Sequence, residues 1–242
     1  MSLPKRLEHG HSPEQIRQRL STRQELNYLR DWIYGSIDGA VTTFAIVSGV
    51  VGANLPPKVI IVLGFANLVA DGFSMAASNY LGTKAERDEY RQIEAHERRQ
   101  IQEEPRGERE EVRQILANKG FAGEVLEKST AIYTSDSQKW EDLMLTEEYG
   151  LPRSYRSPWK AAFSTFAAFL LCGFVPLLPY VLPLGSAQFV SGALLTGSVF
   201  FLIGSLKSRW SLKPWWISGF ETLGIGSAAA ALAFGVGALF RV

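Results

Sequence analysis

The sequence predicts an all-α membrane protein in which five transmembrane helices carry a polar helical domain between the second and the third. The distribution of charge is the first observation behind this fold class. Residues 31–82 contain four charged side chains and residues 158–242 contain six, whereas residues 83–157 contain thirty. The second observation is that the two charge-poor regions hold five apolar segments of roughly 20 residues or more, which is the length that spans a bilayer.

The five spans are predicted at about 33–54, 58–82, 160–183, 187–206 and 214–240. Small residues are frequent in all of them, and in lipid such residues allow helices to approach each other closely. In the first span these are Gly35, Gly39, Gly49 and Gly52, which suit either a contact between two subunits or packing within one. The alternative, five buried helices of a soluble protein, would leave the segments without a polar face for water.

The basic residues predict the orientation, because Lys and Arg accumulate on the cytoplasmic side of a membrane protein. Residues 1–30 hold six of them, residues 83–157 hold thirteen, and the segment 207–213 holds three. With five spans, all three regions fall on one side. We therefore expect a multi-pass protein whose N-terminus is cytoplasmic and whose C-terminus is outside. The short polar N-terminus is unlike a signal peptide and favours a bacterial cytoplasmic membrane.

The polar regions are predicted to be helical as well. Residues 13–30 read as one polar helix with Ser12 as N-cap and Pro13 in its first turn. The next polar helix, about 83–104, continues the second span without a breaker and ends at Pro105. Further helices are expected at about 108–118, 122–134 and 136–148. The chain thus divides into an N-terminal cytoplasmic or interfacial helix (1–32), transmembrane helices 1 and 2 (33–82), a cytoplasmic helical domain (83–157) and transmembrane helices 3 to 5 (158–242).

Composition excludes several classes of function. Cys172 is the single cysteine, so neither an intrachain disulfide nor a cysteine-based metal site is expected. The net charge of +1 mixes both signs rather than clustering basic residues, and no nucleic-acid partner is predicted. The Glu-x-x-His signature of di-iron proteins is absent from the polar domain 83–157. A ferroxidase is therefore disfavoured, and we expect no enzymatic activity.

Acidic pairs in the polar domain are the first candidate site. Each pair is spaced by three or four residues, which places both side chains on one helix face. The pairs are Glu94 with Glu97, Glu108 with Glu111, and Met144 with Glu148. If the helices pack together, such oxygen ligands suit a divalent cation, and a thioether favours Fe²⁺ over Ca²⁺ or Mg²⁺. The alternative is a set of solvated helix faces on which Glu pairs with interleaved Arg.

Carboxylates inside the apolar segments are the second candidate site. A charge in the bilayer core costs at least ~2.5–3.5 kcal/mol, so such residues are usually functional. The candidates are Asp38, Asp71 and Glu221, with Asn67 and Met75 one helical turn on either side of Asp71. A carboxylate and a thioether facing a bundle interior suit transport of a partly dehydrated metal, and the same carboxylates take up protons when the metal leaves. Structural pairing of these groups is the alternative.

Asp31 and Lys207 stand at the ends of apolar segments. We expect both at the membrane interface, where a charge costs little.

With these motifs the chain resembles the vacuolar iron transporter family, which includes plant, yeast and many bacterial members. The resemblance extends from Tyr34 to the C-terminus. It is carried by SIDGAVTTFAIVSGVVGA, LVADGFSMAASNYLGTKAE, ERDEYRQIEAHE, EREEVRQIL, WEDLMLTEEYGL, SPWKAAFSTFAAFLLCGFVPLLPY and GFETLGIGSAAAALAFG.

The resemblance implies a homodimer of five-helix subunits, each with a cytoplasmic helical metal-binding domain inserted between helices 2 and 3. It implies export of Fe²⁺, and sometimes Mn²⁺, from the cytosol in exchange for protons, without an organic cofactor. By position, Asp38 and Met75 match the family's transport pathway. The matches to its cytoplasmic metal ligands are Glu94, Glu97, Glu108, Glu111, Met144 and Glu148.

Two departures from the plant pattern bear on mechanism. Asn67 stands where plant members carry a glutamate, and Asp71 one turn later is the candidate replacement. Met144 is followed by Leu145 where plant members have two methionines, which makes the site harder and Mn²⁺ more favourable. The leading hypothesis is a proton-coupled exporter of Fe²⁺ or Mn²⁺. The competing one is a membrane-tethered iron-binding buffer or sensor without transport.

Overall fold

A computed structural model describes residues 10–21, 27–152, 155–182 and 187–241, and this part of the chain is helical without strands. The helices are α1 (Pro13–Ser21), α2 (Leu29–Gly52), α3 (Pro57–Glu103), α4 (Pro105–Asn118), α5 (Gly123–Thr134), α6 (Ser137–Glu147), α7 (Pro158–Phe174), α8 (Leu178–Val181), α9 (Gln188–Lys207) and α10 (Trp215–Leu239).

Five helical stretches are long and apolar enough to cross a membrane, which confirms the predicted number of spans. They are Leu29–Gly52, the apolar part of Pro57–Glu103, Pro158–Val181, Gln188–Trp210 and Trp215–Leu239. Much of their apolar surface points away from the protein, most of all on α3 and α10. Such outward apolar faces are what a helix exposes to lipid.

The third span differs from the predicted single helix over 160–183. α7 ends at Phe174, a 3-10 turn covers Val175–Leu177, and only then does the short α8 follow. Pro176 and Pro179 explain the break, because proline lacks the N–H that an α-helix interior needs.

α2 is the central membrane helix and packs against α3, α7, α9 and α10. A Cβ on Gly35 would stand 2.3 Å from the Thr165 carbonyl oxygen, and one on Gly39 would stand 2.4 Å from that of Phe169. Near the other end of α2, a Cβ on Gly52 would stand 2.4 Å from the Phe234 carbonyl oxygen of α10. The glycines of α2 therefore serve packing within the chain, the second of the two roles considered for them.

Replacement of Gly39 by alanine is expected to destabilise the membrane bundle. The added methyl group would push α2 and α7 apart at their crossing, beside Asp38, and overpacking of this kind costs about 1–3 kcal/mol. The thermal unfolding midpoint in detergent checks this result. Gly82→Ala is the matched control, because a Cβ there meets no atom within 4 Å, and an equal loss in both variants would contradict the packing argument.

α3 runs without interruption for 47 residues, so the predicted continuation of the second span into the polar region is confirmed. α4, α5 and α6 form a small helical bundle at its far end. Val112, Leu116, Leu126, Trp140 and Met144 make the apolar core of this bundle. α4 begins at Pro105 rather than near residue 108, because a proline that ends one helix is well suited to the first position of the next.

The N-terminal polar helix is shorter than predicted. α1 begins as expected at Pro13, and Ser12 and Gln15 exchange side-chain to backbone hydrogen bonds of 3.3 Å in a capping box. Residues 27 and 28 are not helical, and residues 29 and 30 belong to α2, so a single helix over 13–30 is wrong. The remainder of that prediction, residues 22–26, lies outside the described residues.

Candidate functional site

Two glutamates lie buried where α3 meets the polar bundle. Glu97 on α3 is 1 % exposed, and Glu108 in the first turn of α4 is 4 % exposed. Both carboxylate oxygens of Glu97 and one of Glu108 lack a hydrogen-bond donor among the described residues. Buried carboxylates without donors are unstable as anions. A shared proton, or a cation, would satisfy both.

The electrostatics of this acidic cluster show which residues converge on it. The pKa of Glu97 is raised to about 8, mainly by burial and then by the charges of Glu108, Glu148 and Glu111. The pKa of Glu108 is raised, first by burial and also by Glu111. The pKa of Glu148 at the end of α6 is raised by burial and then by Glu111 and Glu108. Four carboxyl groups from three helices thus repel one another.

Tyr149 belongs to the same acidic cluster and was missed by the sequence reasoning. Burial and the charge of Glu148 raise its pKa to about 12, so it stays a phenol near neutral pH. In the part of the chain that the structure describes, no three His, Cys, Asp or Glu side chains are already drawn together as a metal ion requires. Binding a cation here therefore requires the carboxylates to close in around it.

Two residues of the predicted ligand set have other neighbours in the structure. Glu94 faces Arg98 at 3.6 Å, and Arg98 binds Glu141 at 2.7 Å. This is the solvated ion-pair arrangement considered as the alternative. Met144 is fully buried and packs in the apolar core with Val112. Glu97, Glu108, Glu111 and Glu148 are the members that the structure brings together.

The seam between α2 and α3 carries the membrane residues. Asp38 is half-buried on α2, and Asp71 on α3 is close enough for their charges to interact. Asn67 donates a hydrogen bond of 3.2 Å to the Thr42 hydroxyl, which donates one of 2.9 Å to the Asp38 carbonyl oxygen. Met75 is half-buried against the apolar core of the bundle. Asn67 is thus linked through Thr42 to the backbone of Asp38, and the exposed Asp71 interacts with Asp38 through its charge. Met75 lies on the same helix as Asn67 and Asp71 but makes apolar contacts.

Glu221, the fifth membrane residue, has a basic partner just before the start of α10. Lys213 binds it at 3.3 Å, and the Glu221 side chain is 42 % exposed. Asp38 and Asp71 have no such basic partner among the described ion pairs, and the role of Glu221 in transport stays a prediction.

A buried polar network around Asp31 was not predicted. Asp31 is 3 % exposed and forms an ion pair with Arg156. Asn79 donates to the Asp31 carboxylate at 2.9 Å and to the Thr165 hydroxyl at 2.7 Å. The expected position of Asp31 at the membrane interface stays a prediction, but its charge is compensated by protein groups.

The Asp31 network lies beside Met75. Both line a cavity of about 340 Å³ that also includes Asn79, Thr83 and Glu86. Met75, Asn79, Thr83 and Glu86 follow one another at helical spacing on α3, which is the signal that sequence reasoning overlooked. The polar face of α3 thus extends beyond Met75 toward the acidic cluster.

The model of the VIT family matches residues 29–238. Vacuolar iron transporter 1 of Arabidopsis thaliana is 33 % identical over 208 residues, covering 85 % of this chain and 83 % of the relative. Vacuolar iron transporter 2 of Oryza sativa subsp. japonica is 30 % identical over 210 residues, covering 86 % and 85 %. The vacuolar iron transporter of Plasmodium berghei (strain Anka) is 29 % identical over 226 residues, covering 89 % and 83 %.

The family match spans all five membrane helices and the acidic bundle between them. It therefore includes both groups of residues described above. The chain belongs to the VIT family.

Proposed function

We propose that this protein exports a divalent metal from the cytosol in exchange for protons, with Fe²⁺ as the main substrate and Mn²⁺ as a second one. The observation that carries the proposal is that Asp38, Asn67, Asp71 and Met75 lie on the neighbouring helices α2 and α3 within apolar spans. Carboxylates within membrane spans are rare and usually functional, so Asp38 and Asp71 support a cation pathway. The names of the relatives, vacuolar iron transporters, support the choice of iron.

The acidic cluster would collect the metal on the cytoplasmic side. Its four carboxyl groups, Glu97, Glu108, Glu111 and Glu148, repel one another when ionised. A divalent cation relieves that repulsion and displaces the proton that Glu97 holds. Carboxylate oxygens and the nearby phenol of Tyr149 form a hard donor set, which suits Fe²⁺ and Mn²⁺.

In the membrane, Asp38 and Met75 would bind the metal as it passes between α2 and α3. Protons arriving from outside would neutralise Asp38 and Asp71, and a neutral carboxyl group releases a cation. Asp71 would take up the proton that the glutamate of plant members takes up at the position of Asn67. We place the protein as a homodimer in a bacterial cytoplasmic membrane, with a cytoplasmic N-terminus and the C-terminus outside.

Replacement of Asp38 by asparagine tests the transport proposal. We expect Fe²⁺ flux into proteoliposomes under an imposed pH gradient to fall by on the order of a hundredfold, the effect of about 2.7 kcal/mol lost at the limiting step. Glu124→Gln is the matched control, because Glu124 is an exposed carboxylate paired with Lys128. Full flux in Asp38→Asn, or wild-type flux that ignores the pH gradient, would overturn the proposal.

The second candidate is a membrane-tethered iron buffer or sensor, favoured by the compact acidic bundle with its own apolar core. It predicts metal binding without flux, and no effect of Met75→Ala on any cellular metal phenotype. Measuring binding and flux on the same reconstituted protein separates the two candidates.

A further inference from the structure

A groove opens between the start of α2 and the end of α9. Its volume is about 380 Å³, and its walls are mostly apolar. We call it the basic groove, and its lining residues are Asn27, Leu29, Arg30, Ile33, Tyr34, Lys207 and Trp210. None of them belongs to the transport seam or the acidic cluster.

The basic groove has an excess of positive charge. Arg30 lies over the ring of Tyr34, with 5.4 Å from its guanidinium carbon to the ring centroid. Lys207 forms no ion pair among the described residues. Asp31 is already neutralised by Arg156, so Glu86 is the remaining carboxylate whose charge acts on Arg30.

The depth of the basic groove in the membrane follows from the aromatic residues around it. α2, α7 and α10 begin the first, third and fifth spans, and α9 is the fourth span. Because successive spans cross the membrane in opposite directions, the starts of α2, α7 and α10 lie on the same side as the end of α9. Trp159, Trp210, Trp215 and Trp216 at these helix ends are all at least 50 % exposed. Exposed Trp residues gather at the level of the lipid headgroups. The basic groove therefore lies at headgroup depth.

We propose that the basic groove binds one anionic phospholipid. The phosphate would lie between Arg30 and Lys207, and an acyl chain would pack against Leu29, Ile33 and Trp210. Two cations above an apolar groove match the charge and the shape of such a lipid, and basic pockets between membrane helices bind lipid headgroups in this way. A second copy of the chain would bring the same two cations and would be repelled.

The test uses the full-length protein in neutral detergent. Dioleoylphosphatidylglycerol or dioleoylphosphatidylcholine is added, and bound lipid is counted by native mass spectrometry while the thermal midpoint is recorded. We expect one phosphatidylglycerol per chain and a midpoint increase that phosphatidylcholine does not give. Arg30→Gln combined with Lys207→Gln is expected to weaken phosphatidylglycerol binding by on the order of tenfold.

Arg209→Gln is the control, because Arg209 is an exposed cation next to Lys207 that does not line the basic groove. If this variant loses as much affinity as the double variant, binding is diffuse and the proposal fails. Ile33→Trp fills the groove without changing charge and is expected to lower the affinity too. Wild-type affinity in both groove variants would overturn the proposal. It would also fail if these variants dissociated an oligomer while lipid binding stayed unchanged, because the groove would then be a contact between copies of the chain.

Discussion

Replacement of Asp31 by alanine is expected to cost about 3 kcal/mol of stability, the usual penalty for breaking a buried ion pair. Arg156 would keep its charge inside the bundle without a counterion, and Asn79 would lose an acceptor. The thermal midpoint in detergent should fall by several degrees. Glu124→Ala, which removes an exposed carboxylate, should change the stability by less than about 0.5 kcal/mol.

A double replacement, Asp31→Asn with Arg156→Gln, separates charge from packing. Removing both charges leaves no unpaired ion, so part of the lost stability should return relative to Asp31→Ala. If the double variant loses the sum of the stabilities lost in the two single variants, the two side chains are energetically independent. The ion pair then does not stabilise the contact between residue 31 of α2 and residue 156.

Replacement of Glu97 by glutamine is expected to stabilise the metal-free protein at pH 8 by about 4 kcal/mol. The pKa of Glu97 is raised from 4.5 to about 8 by burial and by Glu108, Glu148 and Glu111. Its contribution to stability is therefore fully present below about pH 4.5 and is lost as the pH rises through about 8. At pH 4 both proteins hold a neutral side chain, so their midpoints should coincide. A constant difference across this pH range would contradict the assignment.

Metal binding at the acidic cluster should show the opposite trend. A cation must displace the Glu97 proton, so Mn²⁺ affinity should rise about tenfold per pH unit up to roughly pH 8. Isothermal titration between pH 6 and pH 8 measures this slope, and Glu124→Gln should leave it unchanged. An affinity independent of pH over that interval would show that Glu97 is ionised before the metal arrives.

The membrane architecture was predictable because it depends on local properties. Hydropathy and charge mark the five spans within windows of about 20 residues. The unbroken α3 followed from the lack of a proline before Pro105. The break in the third span could also have been predicted from Pro176 and Pro179. The mean hydropathy of a window of about 20 residues does not detect it, because prolines change the backbone and not the apolar character of the span.

The Asp31 network was not predictable because its partners are distant in sequence. Asn79 is 48 residues away and Arg156 is 125 residues away. The glycines of α2 posed a similar problem, since a small residue indicates a close contact without naming the helix that makes it. In the acidic cluster, spacing placed Glu94 and Glu97 on one face. Only the packing of α4 decides that Glu97 is buried while Glu94 meets Arg98.

The length of α3 has a mechanical consequence. Met75 and Glu97 are 22 residues apart on one unbroken helix, a distance of about 33 Å. A straight rod of that length, tilted by about 10° around Met75, moves its far point by roughly 6 Å. Under the proposed function, closure of the acidic cluster around an ion would therefore tilt the same helix that borders the membrane seam. If α3 moves as one rod, a change at the acidic cluster reaches the membrane seam without any contact between the two sites.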